Sequence, residues 1–156
     1  QHLAQETESF VLIGLSLGAA LALELSSYDL PNLQALVLSG CPLKVAGNIL
    51  FYIQLLIFKL LPKKVFEKQG ADKAFMVGVS EELKTLDLRE IAKNCPYPTL
   101  LICGSQDKPN LSSMKAIQEL MSNSQFQIIP DGPHVLNKEK PKEFVENTRS
   151  FLELLK

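Results

Sequence analysis

A chain of 156 residues has room for one domain or most of one, and 46% hydrophobic with 21% charged residues rules out a low-complexity or disordered segment. The formal net charge of −1 gives no general attraction to nucleic acid or to anionic lipid, so no nucleic-acid partner is expected.

In chain order, residues 1–9 (QHLAQETES) are polar and read as the last turns of a helix or the loop after it. Residues 10–14, FVLIG, form an apolar run without alternation, as in a strand covered on both faces. Residues 17–26 read as a helix with Gly18, Ala19 and Ala20 on its first turn, and Pro31 marks a turn over 28–32. LQALVLS, 33–39, is a second buried strand closed by Gly40. From 41 to 94 the pattern is helical only, with a long apolar helix near 46–61 and shorter ones across 64–75 and 80–93. PTLLICG, 98–104, is a third buried strand, followed by a helix over 111–121 with Asn110 as its N-cap. Residues 126–129 give a fourth strand, and 141–155 an amphipathic closing helix with Pro141 in its first turn.

This alternation predicts an α/β fold, a parallel sheet with flanking helices and one all-helical insert. Right-handed crossovers place the strands side by side in chain order, with their C-terminal ends along the edge where open α/β sheets bind ligands.

Cys41, Cys95 and Cys103 are an odd count at spacings that fit neither a disulfide framework nor a zinc site, and Cys103 reads as a small buried hydrophobe. With no signal peptide visible, a reducing, cytoplasmic location is expected, although the chain opens without methionine, as a fragment would. The longest apolar stretch, 49–61, is too short to span a bilayer and carries Gln54 and Lys59. Lys63, Lys64 and Lys68, and Lys138, Lys140 and Lys142, read as solvated surface.

One polar residue interrupts the first strand–helix pair. GLSLG, residues 14–18, fits the pattern G-x-S-x-G between a buried strand and a helix, the setting of a nucleophile elbow. There Ser16 sits in a strained turn, and a side chain at Gly14 or Gly18 is expected to collide with neighbouring backbone. The turn aims the backbone N–H of Leu17 at any oxyanion formed. The competing reading is a serine N-cap. A nucleophilic serine needs a base and an orienting acid. Of the two histidines, His2 lies in the polar opening and His134 follows the last strand. Asp107 follows the third strand, where a turn former or helix cap is the plain alternative; Asp131 is the runner-up acid. Ser16, Asp107 and His134 each follow a different strand, in the chain order of an α/β-hydrolase triad.

On these residues the chain resembles the C-terminal two-thirds of an α/β-hydrolase-fold protein of the ester-hydrolase type. FVLIGLSLGAALAL is similar to the elbow, LQALVLSGCP to the next strand, CPYPTLLICGSQD to the acid turn, and IIPDGPHVLNKEKPKEFVENTRSFL to the histidine loop and closing helix. The resemblance implies a core over 1–41 and 95–156 and a helical cap over 42–94. It also implies a missing N-terminal segment of the same fold, which usually supplies a second oxyanion donor worth about 100- to 1000-fold in rate. Without that segment the elbow strand is left as an apolar edge. Gly132-Pro133 before His134 departs from the usual small residue or second glycine, and the proline is expected to stiffen the histidine loop or slightly misplace the imidazole.

The expected function is a serine hydrolase acting on a small carboxylic ester, with an apolar acyl group favoured by the greasy helix of the insert. No residue cluster implies a metal or an organic cofactor. Thioester cleavage, acyl transfer and carbon–carbon cleavage on the same triad, or a non-catalytic truncated relative, remain as alternatives.

Overall fold

The computed structural model describes residues 9–68 and 70–155, so His2 and the opening eight residues lie outside the description. Four strands, β1 (Phe10–Leu15), β2 (Leu33–Ser39), β3 (Thr99–Gly104) and β4 (Ser124–Ile129), form one parallel sheet in the order β1-β2-β3-β4. Leu15 pairs with Ser39, Ser39 with Ile102, and Gly104 with Ile129. The strands thus end level, and the loops after them emerge along one edge.

The sheet is built from the residues whose pattern demands burial. β3 is buried at every position and β2 at every position but Gln34. Removing Leu100, Leu101 and Ile102 from water contributes about 1.5–3 kcal/mol for each side chain, which makes β3 a firmly held platform for the loop after it. On one face Ala35, Val37, Leu100 and Ile102 pack with Ile129, Leu136 and Phe151. β1 departs from the expectation of a strand covered on both faces. It lies at the edge of the sheet with Ile13 53% exposed, beside a groove of about 530 Å³ lined by Ile13, Phe144, Val145 and Leu152.

The helices are α1 (Leu17–Leu25), α2 (Ile49–Leu60), α3 (Lys63–Glu67), α4 (Lys73–Leu83), α5 (Arg89–Asn94), α6 (Lys108–Leu120), α7 (Leu136–Glu139) and α8 (Pro141–Glu153). The helix expected over 64–75 stops at Glu67, because Gly70 takes φ +71° and Asp72 restarts the chain as the N-cap of α4, accepting from Phe75 N at 2.8 Å. The helix expected over 80–93 is likewise divided between α4 and α5. Short α7 was not expected at all.

The described chain divides into two compact units, Lys44–Asp87 and the remainder. These bounds differ from the expected insert of 42–94: α5 belongs with the sheet unit, where it meets α1 and α6. Within Lys44–Asp87, the rings of Phe58 and Phe66 meet edge to face at 5.5 Å. Lys73 Nζ donates to the carbonyls of Lys59 and Leu61, each at 2.7 Å, and satisfies the end of α2. Glu81 pairs with both Lys59 and Lys84. Leu55 and Phe66 are buried, while Ile49, Leu56 and Leu60 are 73%, 57% and 75% exposed. Among the described residues no helix is long and apolar enough to cross a membrane.

Candidate active site

Ser16 stands between β1 and α1 with φ 55° and ψ −117°, a backbone conformation that an L residue adopts only when its surroundings impose it. Its N–H donates to the Ser39 carbonyl at 2.7 Å, and its carbonyl accepts from Ala19 and Ala20, so the turn is held from both sides. The side chain makes no cap hydrogen bond to α1. The plain N-cap reading therefore leaves the strain unexplained. Leu17 opens α1, where a backbone N–H has no acceptor within the helix.

The two glycines of GLSLG do different things. A Cβ on Gly14 would run into the backbone of Gly18 and Ala19. A Cβ on Gly18 meets nothing within 4 Å among the described residues, so the expected collision at Gly18 is corrected. The close approach is made by the Gly18 backbone onto Gly14, and only Gly14 must lack a side chain.

Asp107 and His134 are brought together by the loops after β3 and β4. Gly104 lies directly against Gly132 and Pro133, an approach that a side chain at 104 would forbid. Ser105 N donates to the Ile129 carbonyl, Gln106 N to the Gly132 carbonyl, both at 3.0 Å, and Asp131 N to Ser105 Oγ at 2.9 Å. Asp131, at φ 51°, shapes this turn. The outcome is a 2.6 Å contact between His134 Nδ1 and Asp107 Oδ2. Asp107 is 7% exposed and the imidazole stays half-buried. Pro133 thus does not pull the ring away from Asp107.

Asp107 occupies the N-cap position of α6 but makes no side-chain cap bond to it. Its carboxylate is used by His134 and by Asn110 instead. The expected role of Asn110 as an N-cap is corrected: α6 starts at Lys108, with Pro109 in its first turn, which leaves Asn110 inside the helix. Its Nδ2 donates to Asp107 Oδ1 at 2.9 Å and Oδ2 at 3.1 Å, and lies 3.3 Å from His134 Nδ1.

Gly40, after β2, takes φ +56° beneath this pair; a Cβ there would come to 3.1 Å of His134 Nδ1 and 3.2 Å of Asp107 Oδ2. The sequence suggests no place beside Asp107 and His134 for Gly40, Gly104 or Asn110, and none for Gly132 as the contact of Gly104. A usable signal existed for two of them: Gly40 closes a strand at the ligand edge, and Asn110 stands one helical turn after Asp107.

The three cysteines are buried and free. Burial pushes the Cys41 thiol up to about 12. Burial, and then the charge of Asp107, push Cys103 up to about 11. Neither thiol is a nucleophile at neutral pH.

No protein-family model matches the chain, and no curated protein does. Solved structures do. An alpha/beta hydrolase enzyme, MGS-M2, from a Medee basin deep-sea metagenome library superposes with TM-score 0.76 at 18% identity, over 97% of this chain and 68% of that one. The fold is that of the α/β hydrolases. A lipase-esterase related protein from Clostridium acetobutylicum ATCC 824 gives 0.78 at 21% identity, covering 94% of this chain and 68% of its own. The enol-lactonase from Burkholderia xenovorans LB400 gives 0.79 at 15%, over 96% and 67%. At such identities the likeness is one of fold. In an α/β-hydrolase fold, the turn after β1 and the loops after β3 and β4 lie at the C-terminal edge of the sheet, where Ser16, Asp107 and His134 are found.

Proposed function

We propose that the chain carries the catalytic machinery of a serine hydrolase that cleaves a carboxylic ester. One observation carries the reading: Ser16 is held in a strained backbone conformation that its side chain does not use for capping, on the sheet edge where Asp107 and His134 are already joined. In this reading Ser16 Oγ attacks the ester carbonyl carbon while His134 Nε2 takes its proton. Asp107 holds Nδ1–H and stabilises the imidazolium, and the Leu17 N–H binds the developing oxyanion. The imidazolium protonates the leaving alcohol; water, deprotonated by the same imidazole, then releases the acid from the acyl-enzyme. The Ser16 side chain makes no cap bond to α1, and bonds between a nucleophile and its base are often long before substrate binds.

The apolar composition of the insert, ILFYIQLLIFKLL over 49–61, is the ground for favouring a substrate with an apolar acyl group. Among the described residues β1 pairs only with β2; its other edge and the groove beside Ile13 are suited to further strands of the same fold, and we include that segment as the partner the working protein needs. Hydrolysis of p-nitrophenyl esters from acetate to decanoate tests the proposal. Turnover that Ser16→Ala abolishes, with kcat/KM rising with acyl length, is expected. Ester turnover unchanged in Ser16→Ala would refute the mechanism, and a flat length dependence would refute the acyl preference.

A further inference from the structure

Asp107 carries more acceptor capacity than His134 uses. An ionised carboxylate offers about four lone-pair sites, and a buried one left partly unpaired is costly. His134 Nδ1 engages Oδ2 alone, at 2.6 Å. The ring contact leaves Oδ1 to another donor, and α6 supplies no cap bond from its backbone. Among the described residues that donor is Asn110 Nδ2 at 2.9 Å, and the same Nδ2 reaches Oδ2 at 3.1 Å.

The chemistry also fixes the amide's orientation. The opposite assignment would set Asn110 Oδ1 against both carboxylate oxygens, acceptor against acceptor, so Nδ2 faces Asp107. That places an N–H donor 3.3 Å from His134 Nδ1. It is a favourable neighbour for neither the imidazolium nor the Nδ1–H tautomer, so its value lies in what it does to the carboxylate. Spanning both oxygens, the amide stops rotation about the Asp107 Cβ–Cγ bond and keeps Oδ2 towards the ring. The Nδ1–H tautomer then follows, with the Nε2 lone pair left for the serine proton.

We propose that Asn110 is the positioning residue of the acid–base pair, acting through Asp107. It rests on the hydrolase reading for its effect on rate, but not for its effect on the His134 tautomer, and the two are measured separately. With 15N-histidine labelling only His2 and His134 report, so the Nδ1–H proton bound to Asp107 is readily assigned.

The full chain is expected to show that proton as a downfield, slowly exchanging resonance coupled to His134 Nδ1. In Asn110→Leu, close in shape but without a donor, it moves upfield and broadens by exchange, while circular dichroism and the unfolding midpoint change little. Asn110→Asp, which sets a second carboxylate against the first, does the same and serves if the leucine variant fails to fold. Fluorophosphonate labelling of Ser16 falls by about 10- to 100-fold in both, the worth of a hydrogen bond to a charged group, and ester kcat falls with KM unchanged. An unaltered resonance in a folded variant, or no such resonance in the full chain, overturns the proposal. If the full chain shows the resonance and its loss on substitution, yet Ser16 is never labelled, Asn110 positions the pair and the hydrolase reading is what fails.

Discussion

Gly40 is the floor beneath His134: a methyl group at its α-carbon would stand 3.1 Å from both Nδ1 and Cε1 of the imidazole. Gly40→Ala therefore meets two penalties. The φ of +56° costs an L residue about 1–2 kcal/mol, and the methyl group displaces the ring by a few tenths of an ångström. A small misplacement of a base can cost on the order of 100-fold in rate. The expected variant is modestly destabilised in urea, with kcat down by far more than KM changes. A variant with unaltered kcat would show that the ring is not seated on Gly40.

Ser16 separates stability from activity. Its conformation stores about 1–3 kcal/mol of strain, which glycine relieves and alanine does not. After allowing for the greater freedom of glycine in the unfolded chain, Ser16→Gly is expected to gain about 1 kcal/mol. Ser16→Ala stays near the parent. Both lose activity. Equal unfolding midpoints for the two variants would mean that the turn is not strained.

The elbow glycines predict an asymmetry that a motif cannot. Gly14→Ala collides with the Gly18 backbone and is expected to cost about 3 kcal/mol or more. Gly18→Ala, with open space around it and a helical first turn to favour it, is expected to be neutral or slightly stabilising, by up to about 1 kcal/mol. Urea midpoints of the two single variants decide this. Comparable losses at both positions would contradict it.

The raised thiols set a pH dependence at the alkaline end. A cysteine free in the unfolded chain loses its proton near the ordinary value of 9.0, while Cys41 holds its proton to about 12 and Cys103 to about 11 in the fold. Above pH 9 the unfolded chain therefore binds fewer protons than the folded one, and stability falls as pH rises towards those values. Well below pH 9, where both states keep the proton, neither thiol contributes a slope. Unfolding midpoints from pH 8 to 10.5 are expected to decline, less steeply in Cys41→Ala. Equal slopes with and without Cys41 would contradict the assignment.

Much of this was legible before the structure because burial writes itself into strands. The continuous apolar runs at 33–39 and 98–104 have no other stable use, and the parallel order follows from the crossovers between them. The insert was less legible: there a single left-handed glycine, Gly70, and a capping Asp72 override an otherwise helical run. Asp107 and His134 could be placed on one edge but not joined. Their joining depends on two loops pressing Gly104 against Gly132, a contact between residues far apart in sequence. Asn110 reads as a cap in the sequence because a polar residue before an apolar run fits that role equally well.

In the proposed mechanism Ser16 is an activated nucleophile served by His134. Treating the folded chain with a fluorophosphonate, followed by intact mass and peptide mapping, tests it most directly. One adduct is expected, on Ser16, absent in Ser16→Ala and strongly reduced in His134→Ala. A soluble, folded chain that takes no adduct, or takes one equally well without His134, would contradict it.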